Sequence, residues 1–106
     1  PRTESRVRFG PASSTAVVEL PDGAAVVLPA SGLVIGRGRD TDLQIDDPDV
    51  SRRHLRILPA GNGWLVEDLG STNGTRVNDT RMQECRLSDG DVIQLGSTEL
   101  RFAVRP

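Results

Sequence analysis

Short runs of alternating apolar residues, separated by turn-forming residues, are the feature that most constrains the fold of this chain. Eleven glycines and seven prolines fall within 106 residues. No window sustains the i, i+3, i+4, i+7 apolar spacing of an amphipathic helix. Pro21-Asp22-Gly23, Asn62-Gly63 and Asp89-Gly90 are typical of turns. Short strands at spacings of about 8–12 residues predict an all-β sandwich or barrel.

The alternating runs begin near Thr15 and continue to the end of the chain. Trp64 alternates within its run, which predicts a core position rather than a ligand-stacking one. Cys85 is interpreted as a small apolar filler, because nothing nearby in the sequence clearly activates its thiol. Two brief strands near tight turns are marked by Val77, Met82 and Leu87. The other predicted strands cover residues 18–20, 26–28, 33–35, 43–45, 55–57, 64–66, 92–95 and 100–104.

The length of 106 residues predicts one folded domain. Residues 1–14 carry only Val7 and Phe9 as large apolar residues, so we expect a flexible N-terminal arm or linker there and the domain over residues 15–106. The chain begins at Pro1 rather than Met, and we therefore expect it to be a fragment of a larger protein.

Composition excludes several classes of function. A net charge of −2 gives no support for nucleic-acid binding. One histidine and one cysteine argue against a His/Cys metal site and exclude an internal disulfide. No apolar run approaches the roughly 20 residues that cross a bilayer, and no signal peptide is recognisable at the start. We expect a cytoplasmic domain without cofactor, metal or membrane insertion.

Three predicted loops have an unusual polar content. They read Gly-Arg-Gly-Arg at 36–39, Val-Ser-Arg-Arg-His at 50–54 and Ser-Thr-Asn-Gly-Thr at 71–75. Together they offer guanidinium forks, hydroxyls, a carboxamide and backbone N–H groups. This inventory suits a phosphate dianion, whose three oxygens are strong acceptors and which arginine binds through charge-assisted hydrogen bonds.

The ordered set Gly36-Arg37, Ser51-x-x-His54 and Asn73-Gly74 resembles the signature of the forkhead-associated (FHA) domain. The resemblance covers roughly residues 15–105. The chain is similar above all to FHA domains of bacterial Ser/Thr-kinase signalling proteins. It implies a β-sandwich of about eleven strands whose apical loops bind phosphothreonine. The implied partner is a phosphothreonine protein or peptide, such as a Ser/Thr kinase, a pseudokinase or a kinase substrate.

The resemblance also implies roles for individual residues. Arg37, Ser51, Arg52 and Thr72 match positions that contact the phosphate or its surroundings. Asn73 matches the position that bonds the peptide main chain beside the phosphothreonine.

Three further signature residues match positions that shape the loops rather than touch ligand: Gly36, His54 and Gly74. Three arginines outside the signature could reach peptide residues that flank the phosphothreonine: Arg39, Arg76 and Arg81.

Other interpretations of the same residues remain open at this stage. Ser51 and His54 could be a nucleophile and its base, but in an extended segment residues three apart point to opposite faces, and no third residue orients the imidazole. The acidic stretch from Asp40 to Asp49 resembles a calcium loop, yet the twelfth position is Ser51 rather than glutamate. These acids are interpreted as turn-forming partners of neighbouring arginines. A phospho-independent interaction or dimerisation domain is the alternative function.

Overall fold

The computed structural model describes residues 15–106, so the predicted arm at 1–14 lies outside the described residues. Within the described part every regular element is a β-strand, and no helix is long and apolar enough to span a membrane. The strands are β1 Thr15–Glu19, β2 Ala25–Val27, β3 Leu33–Gly36, β4 Leu43–Gln44, β5 Leu55–Ala60, β6 Gly63–Asp68, β7 Thr75–Val77, β8 Thr80–Met82, β9 Glu84–Leu87, β10 Val92–Leu95 and β11 Thr98–Arg105.

The strands form two sheets. One sheet has six strands in the order β2-β1-β11-β10-β7-β8, and the other has five in the order β4-β3-β5-β6-β9. Neighbours are antiparallel except β3 and β4, which run parallel. The all-β sandwich of about eleven strands is therefore confirmed.

The core lies between the sheets and takes alternate residues from each strand. In β5, Leu55 and Ile57 are fully buried, whereas Arg56 between them is exposed. Burying one aliphatic side chain of this size contributes about 1.5–3 kcal/mol. From the opposite sheet, Ile93 and Phe102 belong to the same core cluster. This alternation fixes the register, because a slip of one residue would turn the apolar set to solvent.

Trp64 and Cys85 are partly buried and pack against the core cluster, as predicted for both residues.

The region around residues 75–87 corrects the sequence-based prediction. Val77, Met82 and Leu87 were predicted to mark two brief strands, but each lies in a strand of its own, β7, β8 and β9. A two-residue turn joins β7 to β8, with Asn78 at φ 51° and Asp79 at φ 70°. Positive φ at both positions matches a turn whose twist suits a hairpin, and Asn and Asp tolerate it.

The topology gathers several loops at one end of the sandwich. Ile35 at the end of β3 pairs with Leu55 at the start of β5, and Leu55 pairs with Asp68 at the end of β6. In the other sheet, Thr75 at the start of β7 pairs with Leu95 at the end of β10. Contacts of His54 with Gly74 and of Asp47 with Ser97 bring the loops of the two sheets to the same end. The β3–β4, β4–β5, β6–β7 and β10–β11 connections therefore emerge together, and we call this the apical end.

Candidate functional site

Backbone hydrogen bonds hold the β3–β4 and β4–β5 loops against each other. The Arg37 N–H donates to the carbonyl of Ser51, and the Gly38 N–H donates to the carbonyl of Arg52, both at 3.0 Å. A Cβ atom on Gly36 would lie 2.1 Å from the Arg52 carbonyl oxygen, and one on Gly38 would lie 3.1 Å from it. Glycine is therefore required at position 36, where the two main chains touch.

The Arg37 side chain is exposed and anchored at its base. Its Nε donates to the carbonyl of Val50 at 2.9 Å. This contact uses one of the five N–H donors of the guanidinium. Within residues 15–106, no hydrogen bond or ion pair engages its Nη atoms, so the end of the fork faces solvent with the side chain already oriented.

Ser51 connects the β4–β5 loop, which we call the second loop, to the β6–β7 loop, which we call the third. Its half-buried hydroxyl oxygen accepts from the Thr72 N–H at 3.0 Å. The hydroxyl proton remains available to an acceptor on the surface. Beside this contact, the Asn73 Nδ2 donates to the carbonyl of Asp49 at 2.9 Å, which leaves the Asn73 Oδ1 and a second N–H for a ligand. Thr72 and Asn73 are both exposed.

His54 is fully buried beneath these loops. Its Nδ1 lies 3.0 Å from the Ser51 N–H, and its Nε2 lies 2.9 Å from the Gly74 carbonyl. Because an N–H only donates and a carbonyl only accepts, Nδ1 is the bare acceptor and Nε2 carries the proton. One imidazole thus connects the second loop to the third.

The geometry does not make a nucleophile and base of Ser51 and His54. Residues 51–54 are bent rather than extended, so the ring turns back toward the Ser51 main chain. The lone pair on Nδ1 is already used by the Ser51 N–H, and the Ser51 hydroxyl bonds the Thr72 N–H instead. A general base needs a hydrogen bond to the proton that it removes, and this pair has none.

Asp68 organises the third loop and was missed by the sequence analysis. Its Oδ1 accepts from the N–H groups of Gly70 and Ser71, and its Oδ2 accepts from the hydroxyls of Ser71 and Thr75 at 2.6 and 2.7 Å. Partial burial works to raise the pKa of Asp68, but these hydrogen bonds to the carboxylate outweigh it, and the pKa is lowered. The Ser71 hydroxyl in turn accepts from the Gly74 N–H.

Asp47 likewise holds loops in place, because its carboxylate joins the β4–β5 loop to the β10–β11 connection. The carboxylate accepts from the N–H of Asp49 within its own loop, and from the hydroxyl of Thr98 and the N–H of Ser97 in the β10–β11 connection. The Asp49 N–H and then the Thr98 hydroxyl are the main reasons that its pKa is lowered. The acidic stretch forms turns as expected, and within residues 15–106 its pairing with arginine is limited to Arg53 and Asp40 at 3.7 Å.

The remaining predicted residues are placed as follows. Arg52 contributes its carbonyl to the loop contacts, while its side chain is exposed. Arg39 is also exposed. Gly74 adopts φ +85°, and the guanidinium of Arg81 lies against it. Among the described residues, no cluster of three or more His, Cys, Asp or Glu side chains could hold a metal ion.

A β-sandwich that gathers tied polar loops at one end is a scaffold for recognition, because such loops are accessible while the sheets keep them in place. The FHA domain model matches residues 33–96. The chain belongs to the FHA domain family.

Individual relatives agree with this assignment. The FHA domain-containing protein FhaA of Mycobacterium tuberculosis is 44% identical over 93 residues, which are 86% of this chain and 18% of that protein. The chain thus spans less than a fifth of FhaA. A solved FHA domain studied for phosphothreonine-dependent interactions is 42% identical, with a TM-score of 0.82 over 87% of this chain and 98% of that chain. The FhaA FHA domain complexed with the intracellular domain of Rv3910 is 44% identical, with a TM-score of 0.78 over 85% and 99% of the two chains.

Proposed function

We propose that this domain binds phosphothreonine peptides and recruits proteins phosphorylated by Ser/Thr kinases. The main support for the proposal is the set of hydrogen bonds that holds the apical loops together as one surface. Arg37, Ser51 and Asn73 stand on three loops that hydrogen bonds hold together. The similar FHA domain studied for phosphothreonine-dependent interactions supports the same ligand.

In this proposal the phosphate lies between the first two loops. The Arg37 Nη atoms and the Ser51 hydroxyl donate to its oxygens, and the Arg52 side chain and Thr72 complete the phosphate contacts. The Asn73 carboxamide bonds the peptide main chain beside the phosphothreonine, through the Oδ1 and the N–H that the Asp49 contact leaves unused. An extended peptide then crosses the apical end without displacing any loop.

The energetics fit a reversible signalling contact. Hydrogen bonds to a charged group contribute about 1.5–3 kcal/mol each. Ordering the peptide offsets much of this sum, whereas the loops are already ordered by their own hydrogen bonds and cost little more. An affinity near the micromolar level, about −8 kcal/mol, is the expected result.

The proposed partner is a phosphothreonine segment of a Ser/Thr kinase, a pseudokinase or a kinase substrate. The complex of the related FhaA domain with the intracellular domain of Rv3910 supports a protein partner of this kind. Because ATP-dependent kinases make the ligand, we expect the domain to work in the cytoplasm. It acts by binding without catalysis, since the His54 lone pair is used within the fold.

Replacement of Arg37 tests the proposal. We expect Arg37→Ala to weaken binding of a phosphothreonine peptide at least about tenfold, because it removes charge-assisted bonds. Isothermal titration calorimetry measures the affinity, and circular dichroism checks that the domain stays folded. Arg101→Ala is the matched control, since Arg101 is an exposed arginine on β11, paired with Val92 away from the apical loops. Equal affinities of the two variants would contradict the proposal.

A second candidate is a phospho-independent interaction domain. It is favoured by Val27 and Val104, which are 61% and 39% exposed and line a groove of mixed polarity with Trp64, Phe102 and Asn62. Sedimentation of the domain alone tests dimerisation through this groove. Val27→Asp should dissociate any dimer that uses it and leave phosphopeptide binding intact.

A further inference from the structure

We infer that Arg81 selects an acidic side chain next to the phosphothreonine, on the side of the binding surface where β8 meets the third loop. This inference rests on the proposed function and adds a specificity-determining residue to it. The preferred ligand is therefore a phosphothreonine peptide with an aspartate or glutamate at one flanking position.

The position of the Arg81 guanidinium is the first observation. Arg81 on β8 pairs directly with Arg76 on β7, so Gly74 is its diagonal neighbour on the same face. A Cβ atom on Gly74 would lie 2.8, 2.9 and 3.1 Å from the Nε, Cζ and Nη2 atoms of Arg81. Three atoms of the planar group are thus equally near, which means that the guanidinium lies flat on Gly74. The cation therefore lies against Gly74, the residue that follows Asn73 in the third loop.

The pairing of Arg81 with Arg76 is the second observation. Like charges directly opposite each other on neighbouring strands are destabilising. The ion pairs found within residues 15–106 use Arg53, Arg56, Arg101 and Arg105, and none of them includes either member of this pair. The sheet thus carries two adjacent cations without an acid between them, at an exposed edge. An anionic group from a ligand would relieve their repulsion.

The distribution of charge around Asn73 is the third observation. On one side, the second loop carries the exposed acids Asp46 and Asp49, and the Asp49 carbonyl bonds the Asn73 carboxamide. The Arg81 guanidinium lies instead against Gly74, the residue that follows Asn73. A peptide that is held by Asn73 and continues past Gly74 therefore meets the Arg81 cation. Opposite charges across a contact provide specificity more than affinity.

Gly74 has two roles in this arrangement. Its φ of +85° suits glycine, and the missing side chain leaves the space that the guanidinium occupies. The Asn73-Gly74 pair of the signature thus supplies a ligand-binding carboxamide and a seat for Arg81.

A peptide scan tests the inference. A phosphothreonine is placed in an alanine host, and one glutamate is moved through three positions on either side. Fluorescence anisotropy then measures the affinity of the intact chain for each peptide. We expect one position, or two neighbouring ones on the same side, to gain about two- to fivefold in affinity, which is the range of an exposed ion pair. The gain should shrink as salt is raised to about 1 M, where the Debye length is about 3 Å.

Arg81→Gln should abolish this gain and leave the affinity for the all-alanine phosphopeptide within about twofold of the original. Arg101→Gln makes the same charge change away from the loops and should keep the gain. Arg81→Glu should transfer the preference to a lysine at the same peptide position.

Several outcomes would overturn the inference alone: a flat scan, a gain that survives Arg81→Gln, or an equal loss for every phosphopeptide. Failure of the original chain to bind any phosphopeptide would instead remove the proposed function, so the two failures are distinguishable.

Discussion

Single residues of the apical surface are placed by close backbone contacts. The clearest case is Gly36, where the main chain of the second loop approaches so closely that a methyl group cannot fit. The His54 imidazole is a second case, because each ring nitrogen satisfies a backbone group of a different loop. Leaving either group buried and unpaired would cost about 1–3 kcal/mol.

Gly36→Ala should force the β3–β4 and β4–β5 loops apart. The added Cβ would lie 2.1 Å from the Arg52 carbonyl oxygen, so the two loops must separate. We expect a loss of about 1–3 kcal/mol in the free energy of unfolding, as for an overpacked core, together with weaker phosphopeptide binding. Urea denaturation measures the first and calorimetry the second.

Gly63→Ala is the matched control for this variant. The nearest atom to a Cβ there is the Nη2 of Arg86 at 3.1 Å, which is the movable end of a long side chain. Gly63→Ala should therefore change the stability by less than about 1 kcal/mol. A Gly36→Ala variant as stable as Gly63→Ala would show that the two loops are not packed as described.

At the scale of elements, the third loop depends on a strand residue. Asp68 ends β6, and its carboxylate accepts four hydrogen bonds from the residues that lead into β7. The loop therefore keeps its shape through an anion at its base rather than through apolar packing. This network holds the backbone that leads to Thr72 and Asn73 at the tip of the loop.

Asp68→Asn should destabilise the domain. The amide cannot accept as many hydrogen bonds and carries no charge, so we expect a loss of about 1–3 kcal/mol at pH 7. The original carboxyl has a lowered pKa, so the unfolded chain takes up its proton first as the pH falls. The stability due to Asp68 is therefore complete above its ordinary pKa, near 3.8, and is lost as the pH falls through the lower folded value.

The difference in stability between Asp68→Asn and the original chain should shrink in acid. Urea titrations between pH 7 and pH 2 measure it. Asp79→Asn is the control, because Asp79 lies in the exposed β7–β8 turn at φ 70°, a conformation that asparagine also adopts. A constant difference across the pH range would contradict the hydrogen-bonded role of the Asp68 carboxylate.

At the scale of the whole molecule, local patterns predict the strands and long-range contacts complete the site. The alternation of apolar and polar residues in β5 is visible in the sequence because successive side chains of a strand point to opposite faces of the sheet. The resemblance to the FHA signature likewise predicts Arg37, Ser51 and Asn73 as ligand contacts, because each part of the signature is read from residues that are close together in the chain. Asp47 could not be recognised in this way, because its partner Ser97 is 50 residues away.

Contacts that form only in the folded chain also explain why the sequence did not predict the hydrogen bonds of Asp68 or the contact of Arg81 with Gly74. Asp68 resembles any acid at the end of a strand until its loop closes over it. The contact of Arg81 with Gly74 requires the register of β7 with β8, and the sequence predicted only two strands where three occur. Local pattern thus indicates which residues lie at the apical end, and the pairing of distant strands determines how they are held.

We propose that the apical loops, held together by hydrogen bonds, form the surface that binds a phosphothreonine peptide. The most direct measurement is calorimetric titration of this chain with three peptides of one sequence that carry phosphothreonine, phosphoserine or unmodified threonine. We expect micromolar binding of the phosphothreonine peptide, weaker binding of the phosphoserine peptide and no measurable binding of the unmodified one. Equal binding of all three would contradict the account.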